Sequence, residues 1–377
     1  MPNPACERAL DHLLHVSHVL GSNDQLVQAG GGNTSVKCDE GRVMLIKASG
    51  TPLGRMSAER GWVAVDLAKL RVVFERPELR TCAPGERERG VLEILYGSVI
   101  EPAGARPSVE TPLHALLDTV VMHSHPVAGN ALAYHPEGER ILAEILADRA
   151  DHPALWVPYI DPGSTLAFRM SDIIAEYRGR HGVPPDILLL QNHGLFVCGP
   201  DPTQCVIKQQ DALERIERHF RAAAASPASS ALDKRLTAAV RKALGPDAVA
   251  RFSTRPELLE AARGRLSELF LTAYSPDQVV YAGPRALLVE RNFTASDIER
   301  EIQQFRQTQG ADPRLILVRG VGLCVVGANA KKADAAEALA LATAQSVLLA
   351  GGTARHLEPK DISFIVNWEA EHYRAKQ

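Results

Sequence analysis

Two histidines one residue apart, His123-Ser124-His125, close an apolar run and are followed by Pro126. Side chains at i and i+2 of a strand point to the same face, so both imidazoles can reach one ion at roughly 2.0–2.1 Å. A third nitrogen ligand would leave that ion an open position for substrate, as a catalytic zinc site requires. His193 is the candidate, because Asn192-His193-Gly194 follows an apolar strand and offers its ring at a turn. The expected ligand set is therefore His123, His125 and His193, holding Zn²⁺ or another divalent cation. An H-x-H pair is equally what two polar residues at a strand end look like, and thirteen histidines make chance pairs unremarkable. His12, His15, His18, His135, His152 and His181 have no comparable partners and read as surface or satisfied core residues.

Glu110 stands just upstream, in Pro107-Ser108-Val109-Glu110, at the start of a helical pattern. A carboxylate beside a divalent cation can take a proton from the carbon next to a polarised carbonyl. The same position suits a first-turn glutamate favoured by the helix dipole. From position alone, the helix-turn role is the simpler one. Anion contacts come from three small polar turns. Gly30-Gly31-Gly32-Asn33-Thr34-Ser35 can converge backbone N–H groups on a phosphate, with Asn33 adding a side-chain donor. Lys47-Ala48-Ser49-Gly50-Thr51 and Ser108 are the other two. No G-x-x-x-x-G-K-[ST] is present, which argues against a nucleotide P-loop. Gly320-Val321-Gly322 lacks the third glycine of a dinucleotide fingerprint.

The elements that must position these residues follow from periodicity. Residues 5–20 carry helical spacing and stop at Gly21-Ser22-Asn23. The glycine turn leads into one short strand and then another at 42–49, and 62–67 and 70–74 read as further strands. Residues 85–96 and 110–118 read as helices, with 118–126 a buried strand running into a loop. Helices follow over 139–148 and 171–182, the latter with Ser171 as cap and Gly182 as stop. Residues 187–199 form a strand pair across the Asn-His-Gly turn, and 202–224 a long helix.

Residues 222–233, AAAASPASSALD, are small, polar and broken by proline, and are the best linker candidate. Beyond them, 313–347 echoes 185–216: proline, apolar strand, glycine, G-L-x-V/C strand, glycine turn, long helix. Such self-similarity suggests a duplicated unit. Val321 stands where His193 stands, and no H-x-H follows the linker. The expected division is a catalytic domain over 1–225 and an α/β domain over 226–377, a degenerate repeat without metal ligands.

The 377 residues are 45% hydrophobic and 23% charged with a net charge of −3. That is globular composition, with no basic run to attract nucleic acid or an anionic membrane, so the expected partners are small molecules. Six scattered cysteines without a C-x-x-C pair read as reduced thiols of a cytoplasmic protein. The N-terminus lacks a signal-peptide plan, and the alanine-rich stretch near 335–350 is too polar to span a bilayer.

Taken in order, GGGNTSVK, KASGT, PSVETPLH, HSHP and NHGLFVCG resemble the class II aldolase/adducin family. The resemblance covers residues 10–220 and implies an α/β (α+β) fold: a three-layer αβα arrangement around a central, mainly antiparallel sheet. It implies that His123, His125 and His193 bind zinc and that Glu110 is the acid/base. It also implies that Asn33, Ser49, Gly50 and Ser108 contact a substrate phosphate. The C-terminal segments LILVRGVGLCVVGANAKKADAA and ISFIVNWEAEHYRAK are similar to the aldolase portion of rhamnulose-1-phosphate aldolase/short-chain dehydrogenase fusions. The chain stops where the dehydrogenase would begin, so no NAD chemistry is expected. The implied activity is retro-aldol cleavage of a ketose phosphate or related hydroxy-keto compound through a metal-stabilised enediolate. A sugar-phosphate epimerase or dehydratase using the same site is the rival, and a non-catalytic adducin-like binding module the third reading. Val109 stands where short family members often have a serine, which weakens the case for a phosphorylated substrate. Homo-oligomers are common in families like this one, although the C-terminal domain could block or replace such contacts.

Overall fold

The computed structural model describes residues 4–102, 104–220, 234–245, 248–264 and 266–368. They form two compact units, the larger holding 4–129 and 137–216 and the smaller 130–136 with the described residues from 217 onward. The expected linker at 222–233 and the end of the helix placed at 202–224 lie outside the described residues.

The larger unit opens with α1 (Pro4–Gly21), followed by β1 (Asn33–Cys38), β2 (Val43–Lys47) and β3 (Trp62–Asp66). Then come α2 (Leu67–Glu75), α3 (Pro77–Thr81), α4 (Pro84–Gly97), β4 (Val99–Glu101) and α5 (Thr111–Leu116). β5 (Val120–Ser124), α6 (Val127–Tyr134), α7 (Gly138–Ile145), β6 (Leu155–Val157) and α8 (Ser164–His181) lead to β7 (Ile187–Leu190), β8 (Gly194–Gly199) and α9 (Pro202–Phe220). The eight strands lie in the order β4-β3-β2-β1-β5-β8-β7-β6, and every pair is antiparallel except β6 with β7.

Period-two alternation sends the two faces of this sheet to different helices. Met44, Ile46, Val63 and Val65 pack with Leu67, Leu70 and Leu95 of α2 and α4. Val121, Leu188, Leu190 and Phe196 pack with Leu113 of α5 and with Leu166 and Met170 of α8. On the opposite face, Ser17 of α1 meets Thr34 of β1 at 2.6 Å, and Ser124 of β5 meets Gln209 of α9 at 3.4 Å. The mainly antiparallel three-layer arrangement expected from the motifs is the one observed.

Three expectations need correction. Residues 70–74 are helix rather than strand. Asp66 accepts hydrogen bonds from the backbone N–H groups of Ala68 and Lys69, and this N-cap starts α2 immediately after β3. Leu67, Leu70 and Val73 then fall on one buried face, so the apolar run has helical spacing. Ser171 is not a cap, because α8 already begins at Ser164; Gly182 does end it, in the left-handed conformation. Nor are all six thiols reduced: Cys6 of α1 and Cys38 of β1 form a disulfide, leaving Cys82, Cys198, Cys205 and Cys324 free. The packing of α1 across β1 creates that pairing over 32 residues of chain, and it removes the cysteine argument for a reducing compartment. Among the described residues, no helix is long and apolar enough to cross a membrane.

The smaller unit contains α10 (Lys234–Leu244), β9 (Val249–Phe252), α11 (Pro256–Ala261), α12 (Leu266–Leu269) and β10 (Leu287–Val289). α13 (Ala295–Gln309), β11 (Leu315–Val318), β12 (Gly322–Gly327), α14 (Ala330–Leu349) and α15 (Pro359–Asn367) complete it. Its strand order is β10-β11-β12-β9, with β10 and β11 parallel and the other pairs antiparallel. Ile298 and Ile302 of α13 and Val240 of α10 pack on Ile316, Val318, Cys324 and Phe252.

Candidate metal centre

Register across three strands assembles the site. Asn33 of β1 pairs with His123 of β5, and His123 pairs with Phe196 of β8, so the three stand in one row across the sheet. The Phe196 ring stacks on the His123 ring at 3.9 Å and an interplanar angle of 12°. His125 follows two residues on, on the same face. The β7–β8 turn brings in His193. Asn192 carries the turn at φ 55°, a left-handed conformation that asparagine tolerates. Gly194 follows because nothing larger fits. A Cβ there would lie 2.5 Å from the Ser124 carbonyl oxygen, 2.6 Å from His125 Cδ2 and 3.1 Å from His123 Cε1.

His123, His125 and His193 are all buried, and their ligand nitrogens lie within 4.8 Å of one another. The His123 Nδ1–H donates to the Leu195 carbonyl at 3.2 Å, which turns the Nε2 lone pair toward the other two rings. Nε2 of His125 is 3.0 Å from Nε2 of His123. Burial pushes His123 well below the ordinary imidazole range despite the pull of Glu110, so the ring is neutral, the state a metal ligand needs. Three nitrogen donors of this kind fit a divalent cation with a position left for substrate. Among the described residues, this is the one group of His, Cys, Asp or Glu side chains that converges closely enough to hold an ion.

Glu110 immediately precedes α5 and reaches the same centre. Its Oε1 is 3.2 Å from His193 Nε2, and its Oε2 is 3.5 Å from His123 Nε2. Burial by itself would raise this carboxyl. The neighbouring His123 and His193 and the Asn33 amide nevertheless hold it well below the usual carboxylate range. The carboxylate makes no capping hydrogen bond to α5 and is aimed at the imidazoles instead.

The anion-contact candidates divide. Asn33 is buried with its Nδ2–H donating to Glu110 Oε2 at 2.5 Å, so it lies at the centre. Ser49 and Gly50 occupy the turn after β2. The Ser49 N–H donates to the Arg106 carbonyl at 2.8 Å, and a bridge between Ala48 and Pro107 brings this turn beside Ser108. The Ser108 hydroxyl accepts the Glu110 N–H at 3.3 Å, which ties the serine to the helix that aims Glu110. Lys47, also buried, donates to the Gly30 carbonyl at 3.3 Å and links the glycine run to the same turn. Sequence reasoning missed His114. Its position four residues after Glu110, on the same helix side, was the available signal.

The family described as the class II aldolase and adducin N-terminal domain matches residues 11–220. The chain belongs to that family. Among curated relatives, it is similar to the uncharacterized oxidoreductase YuxG of Bacillus subtilis (strain 168), at 29% identity over 221 residues. That match covers 56% of this chain and 30% of the relative. It is also similar to methylthioribulose-1-phosphate dehydratase of Gluconacetobacter diazotrophicus, 30% identical over 123 residues covering 29% of this chain and 58% of the relative. The chain thus spans less than two thirds of either relative. Among solved structures, it is similar to the N-terminal class II aldolase domain of a conserved protein from Thermoplasma acidophilum, at 27% identity and a TM-score of 0.46. That match covers 59% of this chain and 98% of the other.

Proposed function

We propose that this chain is a zinc-dependent class II aldolase that cleaves a ketose phosphate, or a related hydroxy-keto compound, into two carbonyl fragments. The observation that carries this reading is three buried imidazoles with the Glu110 carboxylate 3.2 Å and 3.5 Å from two of them. When bound, the ion supplies Lewis-acid stabilisation for the negative charge that develops on the substrate oxygens. In a retro-aldol cleavage the C–C electron pair stays on the carbon next to the carbonyl. That carbon finally receives the proton given up by the hydroxyl of the aldehyde-forming carbon. Glu110 is the carboxylate assigned to hand that proton over. Asn33, Ser49, Gly50 and Ser108 are assigned to the substrate's anionic end. The test is product analysis with zinc-loaded protein and L-fuculose 1-phosphate or L-rhamnulose 1-phosphate. Two fragments support the reading; an isomer means epimerase, and loss of water means dehydratase.

Dehydration is the second reading, favoured by the 30% identity with a dehydratase over 123 residues. It removes a proton from the carbon beside the polarised carbonyl, the carbon that gains one in the retro-aldol cleavage, so the ligand set serves both and only the product separates them. A folded but metal-free and inactive protein would favour a binding module instead.

We further propose that the smaller unit is a copy of the β5–α9 region that has lost its metal site. The orders β5-β8-β7-β6 and β9-β12-β11-β10 correspond, each with one parallel pair in the same place. His123 opposes Phe196 two positions into β8 after Gly194, and Phe252 opposes Cys324 at the same distance after Gly322. On this register Phe252 takes the place of His123, Thr254 of His125 and Val321 of His193. A Cβ on Gly322 would lie 2.6 Å from Phe252 Cζ, as one on Gly194 would strike the histidine rings. The copy keeps the space for a ring and fills it with carbon. Metal analysis of dialysed protein should therefore return one zinc per chain, and two per chain would sink the proposal.

A further inference from the structure

Glu110 and His114 leave α5 from one side, and Asn33 and Ser35 leave β1 from one face. Two strand residues rise roughly 6.6 Å and four helical residues roughly 6 Å, so the two pairs mesh. The result is a continuous chain of contacts. Ser35 Oγ is 2.8 Å from His114 Nδ1, His114 Nε2 meets Asn33 Oδ1, and Asn33 Nδ2 lies 2.5 Å from Glu110 Oε2. His114, Asn33 and Ser35 are all buried.

The direction of every hydrogen bond in this chain follows from the Asn33 amide. Its NH₂, which only donates, faces Glu110 Oε2, and its carbonyl oxygen, which only accepts, faces His114 Nε2. His114 must then carry its proton on Nε2, and its bare Nδ1 accepts from the Ser35 hydroxyl. Burial, aided by Lys37 and against the pull of Glu110, pushes His114 down to about 3, so one proton is all it holds. Phe196 packs edge-on to its ring, with centroids 5.7 Å apart.

We propose that His114 is a positioning residue for the reaction: its Nε2–H locks the Asn33 amide in the one orientation that donates to Glu110. Without it, the Asn33 carbonyl oxygen is left buried without that donor, the amide can turn away from the carboxylate, and Glu110 loses its aim. This rests on the reading of Glu110 as the acid/base, and the test separates the two. The zinc-loaded protein, His114→Phe, His114→Gln, Asn33→Ala and the His114→Phe/Asn33→Ala double variant are compared for zinc content and for turnover of L-fuculose 1-phosphate and L-rhamnulose 1-phosphate. His114→Phe should keep its zinc and lose about 10–100-fold in kcat, with KM little changed. His114→Gln should recover most of that loss, because its amide N–H still reaches Asn33 Oδ1. In the Asn33→Ala background, His114→Phe should cost nothing further. An equal loss in that background, or no recovery with glutamine, overturns the proposal. The ¹⁵N-histidine spectrum of the zinc-loaded protein supplies a readout free of turnover. It should contain one neutral ring, protonated on Nε2 and unchanged over the pH range in which free histidine titrates, and His114→Gln should remove it. A proton on Nδ1 instead overturns the positioning role, even if neither sugar phosphate is a substrate and only the activity reading has failed.

Discussion

A Glu110→Gln protein is expected to carry its full zinc and to turn over at least about 10²-fold more slowly, the usual contribution of a positioned acid/base. Glutamine keeps the shape, and its amide oxygen can still accept from Asn33 Nδ2, so the buried cluster around His123 and His193 loses no volume. What it loses is the capacity to hold a proton and return it to carbon. The three imidazoles that could hold the metal are untouched, so metal analysis after dialysis should match the parent. Kinetics with a ketose phosphate and metal analysis on the same sample are the measurements. Parent-like turnover would remove Glu110 from the mechanism, and a parallel loss of zinc would make it a ligand instead.

Gly194→Ala should be nearly as damaging, through packing rather than chemistry. The added methyl would lie 2.5 Å from the Ser124 carbonyl oxygen and 2.6 Å from His125 Cδ2. The carbonyl belongs to β5, which is paired to β8 along its length, so it cannot retreat without opening that ladder. The His125 ring is the part that yields, and a displaced ligand costs metal affinity. The expected result is at least a 10-fold weaker zinc affinity, with about 1–3 kcal/mol of stability lost to overpacking. Competition with a chromogenic chelator and thermal melting of the apo and loaded forms read the two effects. Gly97→Ala is the control, since a Cβ there meets nothing within 4 Å. Equal zinc affinity in the Gly194 and Gly97 variants would show that the His125 ring has room to spare.

Legibility varied with how local the cause was. His123 and His125 could be paired from their spacing because period two is a property of any strand, and Gly182 could be assigned as a helix stop because its reason lies within the same helix. The run at 70–74 misled because β-branched residues suit both periods over so short a stretch. Asp66, a capping residue just before Leu67, was the deciding signal and lay outside the run. Cys6 and Cys38 carried no local mark at all, since only the packing of α1 on β1 brings them together.

The candidate site divides along the same line. Residue types and order were enough to name three imidazoles, one carboxylate and the family that combines them, because ligand chemistry and motif spacing are written along the chain. Which atoms face one another was not. That Asn33 donates to Glu110, that His114 stands behind it, and that Phe252 opposes Cys324 in the smaller sheet all depend on strand register. Register is set by cross-strand pairing between segments far apart in sequence, and a slip of one residue would turn Asn33 or Phe252 to the other face of its sheet.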